Sequence, residues 1–112
     1  MVKIVKGKVP YIVFDDGEEV FLIVGVRSDV VKAVDGLVEF IPPEKRDIAL
    51  TRLKGVFFDV QCVKKVLEKE GCGYYDEMYG IGIVAGRCKE AVKRCGAVLY
   101  YLGEAPIRRV VL

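Results

Sequence analysis

Hydrophobic positions fall into short runs separated by charged or glycine-containing breaks, and the runs differ in period. Val2 to Val9 alternates loosely around Gly7 and reads as a strand. Tyr11 to Phe14 and Val20 to Val26 are rich in β-branched and aromatic residues, with Asp15-Asp16-Gly17-Glu18 between them. Asp-Gly is a strong hairpin signal because glycine accepts a positive φ, so these two runs are expected to pair as an N-terminal β-hairpin. Ser28 can cap a short helix to Val34 that Gly36 ends, the alternative being a loop followed by a strand. Leu37 to Ile41 alternates over one strand length and stops at Pro42-Pro43. Pro43 suits the first turn of a helix to about Lys54, with Glu44 and Lys54 placed to favour its dipole.

In the second half the period lengthens. Val56-Phe57-Phe58 is either a short strand or the apolar lead-in to a helix capped by Asp59. On that helix Val60, Val63, Val66 and Leu67 share one face, and Gly71 ends it. Tyr79 to Ala85 reads as a strand, Arg87 to Cys95 as a short helix closed by Gly96, and Ala97 to Leu102 and Ile107 to Leu112 as the last strands. Strands first and α/β alternation later point to an α+β fold. The expectation is one domain over residues 1–112, with an N-terminal β-hairpin and a mixed or antiparallel sheet packed against two to four short helices.

Composition then removes chemistries. The chain lacks His, Asn and Trp and holds one Ser (Ser28), one Thr (Thr51) and one Gln (Gln61). A Ser-His-Asp triad, a Cys-His dyad and any His-ligated metal site need an imidazole that is absent. Eighteen Lys plus Arg against sixteen Asp plus Glu give a net charge of +2, too weak a field to predict nucleic-acid binding. No signal peptide is visible in Met1 to Pro10, and Val20 to Val26 is far too short to span a bilayer. The expected setting is the cytoplasm, without membrane contact. Scarce amides beside abundant Glu, Lys and Arg match the composition of proteins working at high temperature. A thermophilic source bears on the four cysteines, because intracellular disulfides are a hyperthermophile exception.

Cys62, Cys72, Cys88 and Cys95 have no C-x-x-C pair, so neither a zinc ribbon nor a thioredoxin-type centre is expected, and the metal and cofactor expectation is none. On the helix after Gly86, the residues Cys88, Ala91, Val92 and Cys95 lie within one arc of about 100°. Cys88 and Cys95 stand two turns apart, about 10 Å of rise, and cannot bond each other. Each pairs with Cys62 or Cys72, or stays a free buried thiol. A helix–strand–helix order makes the two helices parallel, start beside start. The preferred pairing is therefore Cys62–Cys88 with Cys72–Cys95, and the alternative is Cys62–Cys95 with Cys72–Cys88.

Other candidate sites are weaker. Gly80-Ile-Gly82-Ile-Val-Ala-Gly86 has glycines inside a strand rather than in the turn of a dinucleotide loop, which favours close packing over cofactor binding. A smaller version remains, an anion held by N–H groups after Gly86 together with Arg87 and Lys89. Tyr74, Tyr75, Tyr79, Tyr100 and Tyr101 could stack bases, but Asp76 and Glu77 interrupt them. Asp15, Asp16, Glu18 and Glu19 read as a solvated turn, and Cys88 beside Arg87 and Lys89 sits on an apolar arc, so no residue is assigned a catalytic role. Glu77-Met78-Tyr79, Gly80-Ile-Gly82-Ile and Leu102-Gly103-Glu104 together resemble part of the C-terminal domain of aminoimidazole ribonucleotide synthetases. The glycine-rich ATP-binding half on which that activity depends has no counterpart here, so no function or residue is carried over. The apolar end Ile107-Arg-Arg-Val-Val-Leu112 suggests sheet pairing or a subunit interface. The reading is a disulfide-stabilised, non-catalytic interaction or assembly module, a homo-oligomer, with nucleic-acid or nucleotide-phosphate binding as the alternative.

Overall fold

The most continuously apolar run of the chain forms its central strand. In the computed structural model, which describes residues 14–15, 17–26 and 54–105, strand β1 (Glu19–Val24) is buried at every position after Glu19. Burial on both faces explains why its sequence is a run rather than an alternation. Helix α1 (Val60–Glu70) follows, then β2 (Gly73–Asp76), β3 (Ile81–Ala85), a short 3-10 turn (Gly86–Cys88), helix α2 (Lys89–Arg94) and β4 (Leu99–Glu104). The sheet order is β2-β3-β1-β4 with every neighbour antiparallel, so the α+β class holds, with two α-helices among the described residues.

The Asp-Gly turn is present, with Gly17 at φ 75° and the Glu18 N–H donating to the Asp15 carbonyl at 3.0 Å. It does not serve the expected hairpin. Val20 to Val24 pair with Ala85 to Ile81 on one side, and Glu19 to Ile23 pair with Glu104 to Leu99 on the other. Both edges of β1 are filled by chain-distant strands, β3 and β4. Of that run only Phe14 is described, fully buried; 11–13 and Asp16 lie outside the described residues. The expected elements at 2–9, 28–34, 37–41, 43–53 and 107–112 also lie outside them.

Local signals set α1. The Asp59 carboxylate accepts the Cys62 N–H at 3.0 Å, Val63 and Leu67 are buried, and Gly71 closes the last turn in the left-handed region at φ 60°. Val56 forms a single parallel bridge to Gly25, and Phe57 and Phe58 lead into α1 without being a strand. Both helices cover one face of the sheet. A Cβ on Gly73 would stand 2.9 Å from Leu67, and the Lys89 ammonium lies 5.5 Å from the centre of the Phe21 ring, with Gly73 and Phe21 sharing that face through the register.

The chain between the helices corrects the cysteine pairing. A single strand there was expected to make α1 and α2 parallel. The structure has two, β2 and β3, so three reversals separate the helices and they run antiparallel. Start therefore lies beside end. Cys62 bonds Cys95 and Cys72 bonds Cys88, with Cα–Cα distances of 5.7 and 6.4 Å, in place of the preferred Cys62–Cys88 and Cys72–Cys95.

Candidate functional site

The sequence-derived residues converge on the α1–α2 layer. Cys72, Cys88 and Cys95 are buried and Cys62 is half-buried, so the four sulfurs form bridges inside the packed layer and no free cysteine remains among the described residues. The same two bridges occupy the thiols that a metal or a nucleophilic centre would need.

The Gly86 turn holds an anion of the chain's own. The Arg87 N–H donates to Glu18 Oε2 at 3.0 Å, the Arg87 guanidinium is ion-paired to Glu18 Oε1, and a second guanidinium nitrogen donates to the Gly71 carbonyl at 3.3 Å. Lys89 pairs with Glu19 at 3.4 Å. The carboxylates adjoining Arg87 and Lys89 are thus those of β1 and its lead-in. Glu18 and Glu19, expected in a solvated turn, are instead engaged by Arg87 and Lys89. Nothing local signals their use, because the partner residues are about seventy positions away.

The tyrosines are dispersed. Tyr75 is buried with its ring edge-on to Phe58, at 5.3 Å between centres. Tyr101 is half exposed and packs on Phe21, while the Tyr100 hydroxyl donates to the Lys54 carbonyl at 3.0 Å. Burial, and next the nearby carboxylates of Glu77 and Asp76, raise the Tyr75 phenol above its ordinary range. Asp76 is buried and accepts the N–H groups of Met78 and Tyr79 at 2.9 and 3.3 Å, which shapes the turn from β2 to β3.

Two clefts open beside these elements. One, of about 390 Å³, lies between α1 and β2 and is walled by Lys64, Leu67, Glu68, Tyr74, Tyr75 and Glu77 among others. The other, of about 410 Å³, is lined mainly by apolar groups, including Val26, Val56, Phe57, Phe58 and Val60. Phe57 is 80% exposed at its rim, with Val26 46% exposed.

No protein-family model matches the chain, and neither does any curated protein or solved structure. Gly82, one of the glycines behind the likeness to aminoimidazole ribonucleotide synthetases, has a packing role in this fold. A Cβ on Gly82, inside β3, would stand 2.8 Å from the Tyr74 carbonyl oxygen and 2.9 Å from the Tyr75 ring. Among the described residues no group of three or more His, Cys, Asp or Glu side chains converges as a metal site. No described helix is long and apolar enough to cross a membrane.

Proposed function

We propose that this chain is a non-catalytic assembly module that self-associates through the face carrying Phe57, braced by its two disulfides for work in a thermophile's cytoplasm. The observation behind this reading is the exposure of Phe57 at the rim of the apolar cleft. A phenyl ring left almost wholly in water loses the burial that ordinarily stabilises it, and contiguous exposed apolar surface marks an interaction site. Projection and concavity lie on one face. In a two-fold dimer the same patch meets itself, so Phe57 of each copy can enter the other's cleft against Val56, Phe58 and Val60. The cysteine bridges and the scarcity of Asn and Gln support the thermal part of the reading, since both suit proteins kept at high temperature.

Light scattering across a concentration series tests it. The wild-type chain is expected to move from monomer to dimer mass, and Phe57→Ser to remain monomeric with an unchanged circular-dichroism spectrum. A wild-type chain that is monomeric throughout refutes the self-association.

A further inference from the structure

The cleft between α1 and β2 offers main-chain groups as well as side chains. One wall is the α1 stripe Lys64, Leu67 and Glu68, and the other is β2 with the turn after it. Among the described strands β2 is at the end of the sheet, with β3 on one side only. The Ala85 N–H donates to the Cys72 carbonyl at 2.7 Å, which sets the phase of the ladder. In an antiparallel pair, alternate residues face the partner strand. Tyr74 and Asp76 therefore turn their main-chain groups toward Ile83 and Ile81, while Gly73 and Tyr75 turn theirs away from β3, toward the edge that borders the cleft. Gly71 and Gly73 carry no side chain to cover that edge. A strand edge of this kind is a template for an added strand.

Charge selects the occupant. Among the described residues lining the cleft, Lys64 pairs with Glu77 at 3.1 Å and Glu68 adds a further carboxylate, so the acidic side chains outnumber the basic one.

We propose that this cleft takes an extended cationic peptide segment, which adds to the sheet edge through the main chain of Gly73 and Tyr75 and sets its Lys or Arg side chains against Glu68 and Glu77. The site is centred on other elements than the self-association surface, the α1 stripe and the β2 edge rather than the Val56–Val60 segment, and the two clefts meet at Tyr75 and Glu77. A strictly monomeric chain can still bind the peptide.

The test titrates two blocked hexapeptides, alternating Val-Lys and alternating Val-Glu, into the isotope-labelled full chain with both bridges oxidised. The Lys peptide is expected to shift the Gly73 and Tyr75 amide resonances, slow their hydrogen exchange and bind about tenfold tighter than the Glu peptide. Methylating the peptide nitrogens that face β2 should abolish binding without any change to the protein. The surface variant Glu68→Lys with Glu77→Lys should reverse the charge preference. The proposal is overturned if neither peptide binds, if both bind equally, or if binding leaves the two amides unmoved. It is also overturned if those amides are protected in the free protein in proportion to its concentration, which assigns the edge to a second copy.

Discussion

The two ends of the helix pair carry the same covalent bond in different surroundings. At the Cys72–Cys88 end both residues are buried, and the bridge lies within a dense polar weave. Ala85 N–H bonds the Cys72 carbonyl, Arg87 reaches the Gly71 carbonyl, and Glu18 is held by the main chain and side chain of Arg87. At the Cys62–Cys95 end Cys62 is half-buried, and among the described residues the cross-links beside the bridge are fewer: Asp59 N–H to the Cys95 carbonyl at 3.0 Å, with the Asp59 cap on α1. One bridge reinforces a junction already tied to the sheet, while the other joins two helix ends beside the Asp59–Cys95 main-chain bond. A disulfide's chemical accessibility and its contribution to stability are therefore separate properties.

Reduction gives the largest expected effect. Loop closure alone assigns about 3 kcal/mol to the Cys72–Cys88 bridge, which spans 16 residues, and about 4 kcal/mol to Cys62–Cys95, which spans 33. Opening both removes about 7 kcal/mol, a large share of a typical domain's stability. Denaturant melts with and without reductant should show that loss. Alkylation during a graded reductant titration should label Cys62 and Cys95 first, because a reductant reaches the half-buried Cys62 sulfur more readily. Labelling of Cys72 and Cys88 first would erase the distinction between the ends.

A smaller effect sharpens the same comparison. Glu18 is 10% exposed and Arg87 30%, so Glu18→Ala leaves a partly desolvated guanidinium and N–H without their carboxylate. The expected cost is about 2 kcal/mol in chemical denaturation. It should also make Cys72–Cys88 more reducible, with no change at Cys62–Cys95. The neighbouring Lys89–Glu19 pair is more open to water, and Glu19→Ala is expected to change stability by well under about 1 kcal/mol.

The smallest effect is confined to alkaline pH. Tyr75 ionises above its ordinary value of 10.0 in the folded chain, so the folded state holds the proton more tightly than the unfolded one. Its effect on stability is absent below about pH 10 and destabilises the fold as pH rises from there through the folded pKa. Alkaline melts of wild type and Tyr75→Phe check this: the variant should lose less stability over that window. Identical alkaline slopes would count against it.

Much of the local structure was legible. Asp59 as a cap, Gly71 as a stop, the shared face of Cys88 and Cys95, and a strand over most of Val20–Val26 are all present. Strand β2 was not, because Gly73-Tyr74-Tyr75-Asp76 is short and follows a glycine-flanked cysteine that reads as a helix end. Missing that one strand inverted the relative direction of α1 and α2, and with it the disulfide pairing. The surroundings of the candidate site were not legible: the carboxylates beside Arg87 and Lys89 come from a distant segment and have no local signal.

By itself the sequence determined where α1 begins and ends, which cysteines share a helix face, and which chemistries lack their residues. These depend on caps, periodicity and inventory, all of which act within a few residues. Only the tertiary structure decided which strands flank β1, which cysteines meet, and which main-chain groups of β2 face outward. Those choices depend on how many times the chain reverses and on which distant surfaces bury each other, and apolar burial carries no label for its partner.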